Sequence, residues 1–288
     1  MSTASALVDE ASALLAKVGL VDAWRDAEVL LAHVLGVTRA SLQARPDREV
    51  GPSDEGRFRS LVARRAAREP LQHLTGRQEF WSLPFRVTPA VLIPRPETEH
   101  LVEALLRLPL PSEPLLLDLG TGSGCLAVAA ARERPGARVL ATDISEEALV
   151  VARENAALNG VASRITFLAG DLFAPLEGRG LERALDAILS NPPYIGERDL
   201  ADLPPEVRDH EPRLALSPGP DALAAHRRIA SIAAAWLRPG GHLIVEIGFG
   251  QEDALRGVYG HAPGLEMGEV RPDLAGIPRV LTCRARAG

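Results

Sequence analysis

Two short stretches of this sequence carry residue types whose chemistry is complementary. Asp118-Leu119-Gly120-Thr121-Gly122-Ser123-Gly124 follows the apolar run Leu115-Leu116-Leu117 and opens an alanine-rich segment. Asn191-Pro192-Pro193-Tyr194 follows a second run, Leu185-Asp186-Ala187-Ile188-Leu189-Ser190. Glycines between a strand and a helix permit a tight turn and a close backbone approach to a ligand. A dinucleotide fingerprint has its third glycine three places after the second. Here that place is Cys125, and Gly124 comes one residue earlier. The resulting G-x-G-x-G loop, with Asp118 two places before it, suits an adenosine cofactor that carries no pyrophosphate, namely S-adenosylmethionine. Thr121 and Ser123 complete that cradle, and Asp118 is placed to receive the methionyl ammonium, directly or through water.

Two further acids extend the pattern. Asp143 ends the run Arg138 to Ala141 and lies nineteen residues beyond Gly124; a carboxylate there can accept both ribose hydroxyls. Asp171, in Gly170-Asp171-Leu172-Phe173, follows the run Ile165 to Leu168. It can accept from an adenine amino group while Leu172 covers the ring. An ordinary strand–turn–helix loop would explain any one of these acids. Three of them, each ending a successive strand candidate, favour the cofactor.

The tetrapeptide Asn191-Pro192-Pro193-Tyr194 supplies the acceptor side. An amide or exocyclic amino nitrogen is a poor nucleophile because its lone pair is delocalised, whereas a sulfonium methyl donor is already reactive. Such a reaction needs the nitrogen oriented more than it needs a strong base. Asn191 can offer its side-chain carbonyl to one N–H, and the Pro192 backbone carbonyl can take the other. With both hydrogens held, the lone pair points at the methyl carbon and the developing charge is stabilised. Pro192 and Pro193 stiffen the loop and remove competing backbone donors. Tyr194 can pack flat against a planar substrate group. A plain Asn-Pro turn is the bland alternative, and its register after the glycine loop and the acids argues against it.

The elements that must position these residues follow from periodicity. Short apolar strands alternating with helices from residue 114 onward, with a further strand candidate from His242 to Glu246, imply a buried parallel sheet in an α/β domain. Before it, residues 3–19, 21–35 and 53–69 read as helices, the second with Asp22 as its cap and Gly36 as its stop, the third ended by Pro70. Phe80, Leu83, Phe85, Val87, Val91 and Ile93, interleaved with Pro84 and Pro89, suggest a hairpin or extended linker, and Glu97 to Leu108 a further helix. The expected organisation is a helical domain over 1–77, a hairpin linker over 78–96 and a catalytic domain over 97–288.

Composition bounds the partners. The 288 residues are 46% hydrophobic and 24% charged, within the globular range. Formal charge is +1 over residues 1–90 and −7 over the remainder, which argues against broad capture of nucleic acid. Cys125 and Cys283 form no disulfide framework and no metal-ligand spacing, so no metal is expected. Neither a basic-then-apolar leader nor about 18 consecutive apolar residues is present, and a cytoplasmic monomer without membrane association is expected. Arg57, Arg59, Arg64, Arg65 and Arg68 form a basic run that could meet an acidic partner, though such a run is more often a solvated face.

With these residues in view, the chain resembles the peptide chain release factor glutamine methyltransferases, the HemK/PrmC family. The resemblance spans nearly the whole chain. It rests on Pro70-Leu71-Gln72-His73-Leu74-Thr75-Gly76, Glu79-Phe80, Leu92-Ile93-Pro94-Arg95-Pro96-Glu97-Thr98-Glu99, the glycine loop and Asn191 to Tyr194. His210-Glu211-Pro212-Arg213-Leu214-Ala215-Leu216, Arg238-Pro239-Gly240-Gly241 and Asp273-Leu274-Ala275-Gly276 complete it. It implies a seven-stranded class I (Rossmann-like) methyltransferase domain behind a helical domain that helps dock the substrate. The substrate implied is the glutamine of the Gly-Gly-Gln loop of class-I release factors, methylated on its side-chain nitrogen, with Arg95 and Pro96 beside it. Leu172 stands where some relatives carry an aromatic, which weakens the expected adenine stacking. Ser217-Pro218-Gly219-Pro220-Asp221-Ala222-Leu223 replaces the usual Gly-x-Asp-Gly-Leu. The rival readings are a glutamine methyltransferase acting on a ribosomal protein, and an adenine amino methyltransferase on nucleic acid. The segment Ile93 to Thr98 favours the release factor, and the missing basic groove disfavours the second rival.

Overall fold

The computed structural model describes residues 2–287, which divide into two compact units. One comprises the chain up to Arg77 together with Pro204–His210, the other Gln78–Leu203 and the chain from Glu211 on. No helix among the described residues is long and apolar enough to cross a membrane.

The first unit packs three helices, α1 (Ala4–Lys17), α2 (Ala23–Leu35) and α3 (Pro52–Ala66). Their inward faces supply Leu7, Leu15, Leu30, Leu31 and Phe58, joined by Leu74 from the short turn Leu71–Thr75. Thr3 caps α1 by accepting from the Ala6 N–H at 3.3 Å. Asp22 does not cap α2: its backbone, at φ −93° and ψ 33°, lacks the extended geometry that aims a side chain at the first-turn amides. Val21 is 98% exposed and Trp24 51%, because the inward face of α2 starts at Ala23 and runs through Ala27, Leu30, Leu31 and Val34. The third helix stops at Ala66, three residues before the expected end at Glu69. Arg68 turns left-handed at φ +70°, and Pro70 drives the residue before it out of the helical region.

The basic run on and after α3 is neutralised within this unit. Arg57 pairs with Asp54, Arg59 with Glu10 and Glu55, Arg64 with Glu69, and Arg68 with Glu206. Arg65, its side chain only 10% exposed, bonds Asp26 at 2.8 Å and Glu206 at 3.1 Å. A desolvated pair is costly to break because the remaining charge stays buried. Arg65→Ala is therefore expected to destabilise the full chain by about 3–5 kcal/mol, read as a lowered denaturant midpoint. A loss below about 1 kcal/mol would show that Asp26 and Glu206 are hydrated without it.

The second unit is built on a seven-stranded sheet: β1 (Leu115–Leu119), β2 (Arg138–Asp143), β3 (Ile165–Ala169), β4 (Leu185–Ser190), β5 (Leu237–Glu246), β6 (Leu265–Pro272) and β7 (Pro278–Ala285). The strand order is β6-β7-β5-β4-β1-β2-β3; β1 to β5 are parallel, and β7 alone is reversed, pairing antiparallel with both β5 and β6. The sheet is buried on both faces, as its continuous apolar runs predict. Leu116, Val139, Ala187 and Ile244 face α4 (Glu99–Leu106), α5 (Cys125–Glu133) and α6 (Glu146–Leu158). Leu117, Ile188, Leu243 and Leu281 face α7 (Ala224–Trp236) and α8 (Glu252–Gly260). The expected hairpin forms between Arg77–Phe80 and Leu83–Arg86. Its turn residues Trp81 and Ser82 both take positive φ, the conformation of a two-residue hairpin loop. The Trp81 backbone N–H donates to Glu99 at 2.7 Å and its indole N–H to Glu133 at 2.8 Å, which fixes the tip against α4 and α5.

Candidate active site

The strand order reverses direction between β1 and β4, so their C-terminal ends open the crevice where such sheets bind ligands. Both sequence motifs leave the sheet there: the glycine loop from β1 and Asn191 from β4. A cavity of about 370 Å³ lies beside them.

The glycine loop is held by the neighbouring strand. The Gly120 and Thr121 N–H groups both donate to the Thr142 carbonyl at 2.9 Å. At Gly124, the residue before α5, with φ +81°, a Cβ would stand 3.1 Å from the Ala152 Cβ, so glycine lets the loop close onto α6. Asp143 ends β2 and clamps the same loop: its Oδ2 accepts from the Gly122 N–H at 2.8 Å and its Oδ1 from the Ser145 N–H at 2.9 Å. Burial raises its carboxyl above the usual range.

Asp118 lies beneath the loop, 1% exposed. Its Oδ2 accepts from Thr121 Oγ1 at 2.6 Å and from the Ala127 N–H at 3.1 Å, while Oδ1 is buried with no partner among the described residues. Burial, reinforced by the nearby Asp143 charge, pushes its carboxyl up to about 7 despite those two donors. A buried acceptor without a donor is unfavourable by itself, and a cationic group of a ligand would satisfy it. On that ground the residues present fit an ammonium-bearing cofactor.

Gly120, Thr121, Gly122, Ser123, Asp143, Asp171, Leu172, Asn191, Pro193 and Arg95 line the cavity. Asp118, Gly124, Pro192, Tyr194 and Pro96 are not among the residues that line it. Asp171 follows β3 and is paired with Arg228 of α7 at 2.5 Å, and Leu172 takes φ +48°, a strained conformation for a side-chain-bearing residue. Tyr194 turns its hydroxyl to Glu246 Oε1 at 3.2 Å, while its backbone carbonyl accepts from Gln251 Nε2 at 2.8 Å. Arg95 reaches Glu211 at 2.5 Å, and the second oxygen of that buried carboxylate takes the Ile93 N–H at 3.2 Å.

Three residues in this site were not singled out by sequence reasoning. Arg228 holds Asp171. Thr98, in the turn before α4, donates to Glu246 Oε2 at 2.6 Å and accepts from Asn191 Nδ2 at 3.1 Å. Glu246 is 1% exposed at the end of β5, and burial pushes its carboxyl up to about 7. The signal for Glu246 was available, since it closes an apolar strand in the manner of Asp143.

A Rossmann-like sheet of this order, with a glycine loop at its switch point and acids at successive strand ends, defines a class I methyltransferase. A methyltransferase from Pyrococcus furiosus overlays with a TM-score of 0.54 at 17% identity, covering 72% of this chain and 91% of that one. The T. thermophilus 16S rRNA N2 G1207 methyltransferase, solved with AdoMet and guanosine, gives 0.51 at 22% identity, over 73% and 50%. Both likenesses concern the fold alone. The PrmC N-terminal domain profile matches residues 6–76 and the methyltransferase small domain profile residues 97–202. The release factor glutamine methyltransferase of Cereibacter sphaeroides is 48% identical over 95% of each chain, and that of Moorella thermoacetica 51% over 88% of each. The Deinococcus radiodurans protein of the same description is 42% identical over 98% of each chain. The chain belongs to the release factor glutamine methyltransferase family.

Proposed function

We propose that this enzyme transfers a methyl group from S-adenosylmethionine to the side-chain amide nitrogen of the Gly-Gly-Gln glutamine in class-I release factors. The observation that carries the reading is Asn191 at the cavity wall, directly after the strand that pairs with β1 across the switch point. S-adenosylmethionine, when bound, supplies an electrophilic methyl group on a sulfonium. Asp118 would hold its ammonium through the unpartnered Oδ1, Asp143 its ribose hydroxyls and Asp171 its adenine amino group, with Leu172 against the ring.

Asn191 then accepts one N–H of the substrate amide through Oδ1, and the Pro192 carbonyl accepts the other. Holding both hydrogens turns the nitrogen lone pair toward the methyl carbon and draws positive charge onto the two acceptors. With the cofactor bound, the nitrogen so held would be aimed to take the methyl group from the sulfonium, and one of its N–H protons would leave to water. Pro193 and Arg95 border the substrate side. The helical first unit docks the release factor. Its five clustered arginines bind their own carboxylates, so docking would draw on other surfaces of that unit.

Transfer of label from S-adenosylmethionine to three purified acceptors tests the reading: a class-I release factor, a ribosomal-protein mixture and unmethylated DNA. Label on the release factor, lost when its Gly-Gly-Gln glutamine is replaced, is expected. Label confined to ribosomal protein or DNA would overturn the substrate.

Asp118 gives the cofactor site a pH dependence. Its carboxyl, pushed up to about 7, must be ionised to face an ammonium. Affinity should therefore weaken as pH falls through that value, by about tenfold between pH 7 and 5.5, where the cofactor's ammonium keeps its charge. A dissociation constant that stays flat in calorimetry across this window would remove Asp118 from the ammonium contact.

A further inference from the structure

The orientation of an asparagine amide is decided by what its two ends face, and at Asn191 one end is fixed by chemistry. Thr98 Oγ1 carries a single hydrogen. At 2.6 Å from Glu246 Oε2, that hydrogen goes to the ionised carboxylate, the form that the two hydroxyl donors Thr98 and Tyr194 favour against its burial. Toward Asn191, 3.1 Å away, the hydroxyl therefore offers only lone pairs, and Asn191 must present its NH2 group to it. Its carbonyl oxygen is left for the opposite side. The carboxylate is itself held, since its other oxygen accepts from the Tyr194 hydroxyl at 3.2 Å. The Tyr194 backbone is anchored in turn by Gln251. Thr98 lies before α4, Asn191 after β4 and Glu246 at the end of β5, so three separate elements converge on one amide. An apolar residue would fill the Glu246 position at less desolvation cost if packing were its task.

We propose that Thr98 and Glu246 are positioning residues for methyl transfer: they lock the Asn191 amide so that its carbonyl, and never its NH2, meets the substrate nitrogen. The inference rests on the reading of Asn191 as the substrate acceptor. Without the lock the amide flips, and in half of its orientations two NH2 groups confront each other across the acceptor site. The lock acts on the orientation of one reacting partner, so it governs kcat and leaves cofactor binding alone.

The test compares Thr98→Val, Thr98→Ser, Glu246→Gln and Asn191→Ala as full-length proteins. It reads kcat and KM with a release factor, and the S-adenosylmethionine dissociation constant by calorimetry. Thr98→Val keeps the shape and removes the hydroxyl. Its kcat is expected to fall about 10²-fold, with KM and the cofactor dissociation constant within about twofold, and Thr98→Ser should recover most of the rate. Glu246→Gln, which sets an amide against two hydroxyl donors, should lower kcat in the same direction. Should Thr98→Val fail to fold, Glu246→Gln carries the test, and a normal kcat there overturns the proposal. Thr98→Val turning over normally while Asn191→Ala is inactive would overturn the lock and leave the acceptor reading intact. Normal turnover in both would overturn the acceptor reading and the lock with it. Equal loss in Thr98→Val and Thr98→Ser would assign the effect to packing and overturn the lock.

Discussion

Asn191→Ala is expected to lower kcat by about 10²–10³-fold, the range for removing one preorganised hydrogen-bonding group that acts on developing charge. Cofactor affinity should change by less than about threefold, because none of the residues that would hold the cofactor takes a hydrogen bond from the Asn191 side chain; its partner is Thr98. The expectation follows from the chemistry of the acceptor. The amide nitrogen reacts only when its lone pair is withdrawn from conjugation and aimed at the methyl carbon, and one of two acceptors that enforce this would be gone. The Pro192 carbonyl remains, so residual turnover above the uncatalysed rate is expected. Single-turnover transfer to a release factor, with calorimetry of cofactor binding on the same preparation, separates the two effects. Near-normal turnover would remove the amide-orienting mechanism altogether.

The second large effect is expected at Asp143. Hydrogen bonds to a charged group contribute about 1.5–3 kcal/mol each. Loss of two to the ribose would weaken S-adenosylmethionine binding by about 10²-fold or more in Asp143→Ala. The same carboxylate also accepts from the Gly122 and Ser145 N–H groups, so alanine would loosen the glycine loop as well. Asp143→Asn sorts these contributions, because it keeps one carbonyl acceptor for the loop and lacks the second. Its affinity should fall between those of wild type and alanine. An unchanged dissociation constant in both variants would move the ribose elsewhere in the cavity.

How legible such a site is depends on how local its causes are. The strands β1 to β4 were readable because they are short apolar runs, β1 to β3 ended by glycine or aspartate and β4 by Asn191, and that pattern places Asp118 and Asp143 at the crevice without further information. The strands β6 and β7 were not. Leu265–Pro272 holds Glu266, Gly268, Glu269 and Arg271 on a half-exposed edge strand with register shifts, so no apolar run marks it. Its pairing with Pro278–Ala285 puts both strands in the sheet. The Thr98–Glu246 bond spans 148 positions of sequence and leaves no local trace. The sequence likewise identifies Tyr194 as part of the reactive loop but not its rotamer, and its hydroxyl faces a carboxylate that only the folded sheet brings near. At Asp22 the residue type alone suggested a cap, and the backbone angles decided otherwise.

The segment Pro204–His210, which leaves the second unit to join the first, gives this chain an unusual modularity. Because of it the polypeptide passes between the units three times, after Arg77, after Leu203 and after His210. No single cut separates them. A truncation that removes the first 77 residues strands Glu206 without Arg65 and Arg68, and a fragment ending at Arg77 leaves Arg65 without one of its two carboxylates. A chimera built by swapping the N-terminal portion alone would therefore keep the original Pro204–His210 inside a foreign first unit.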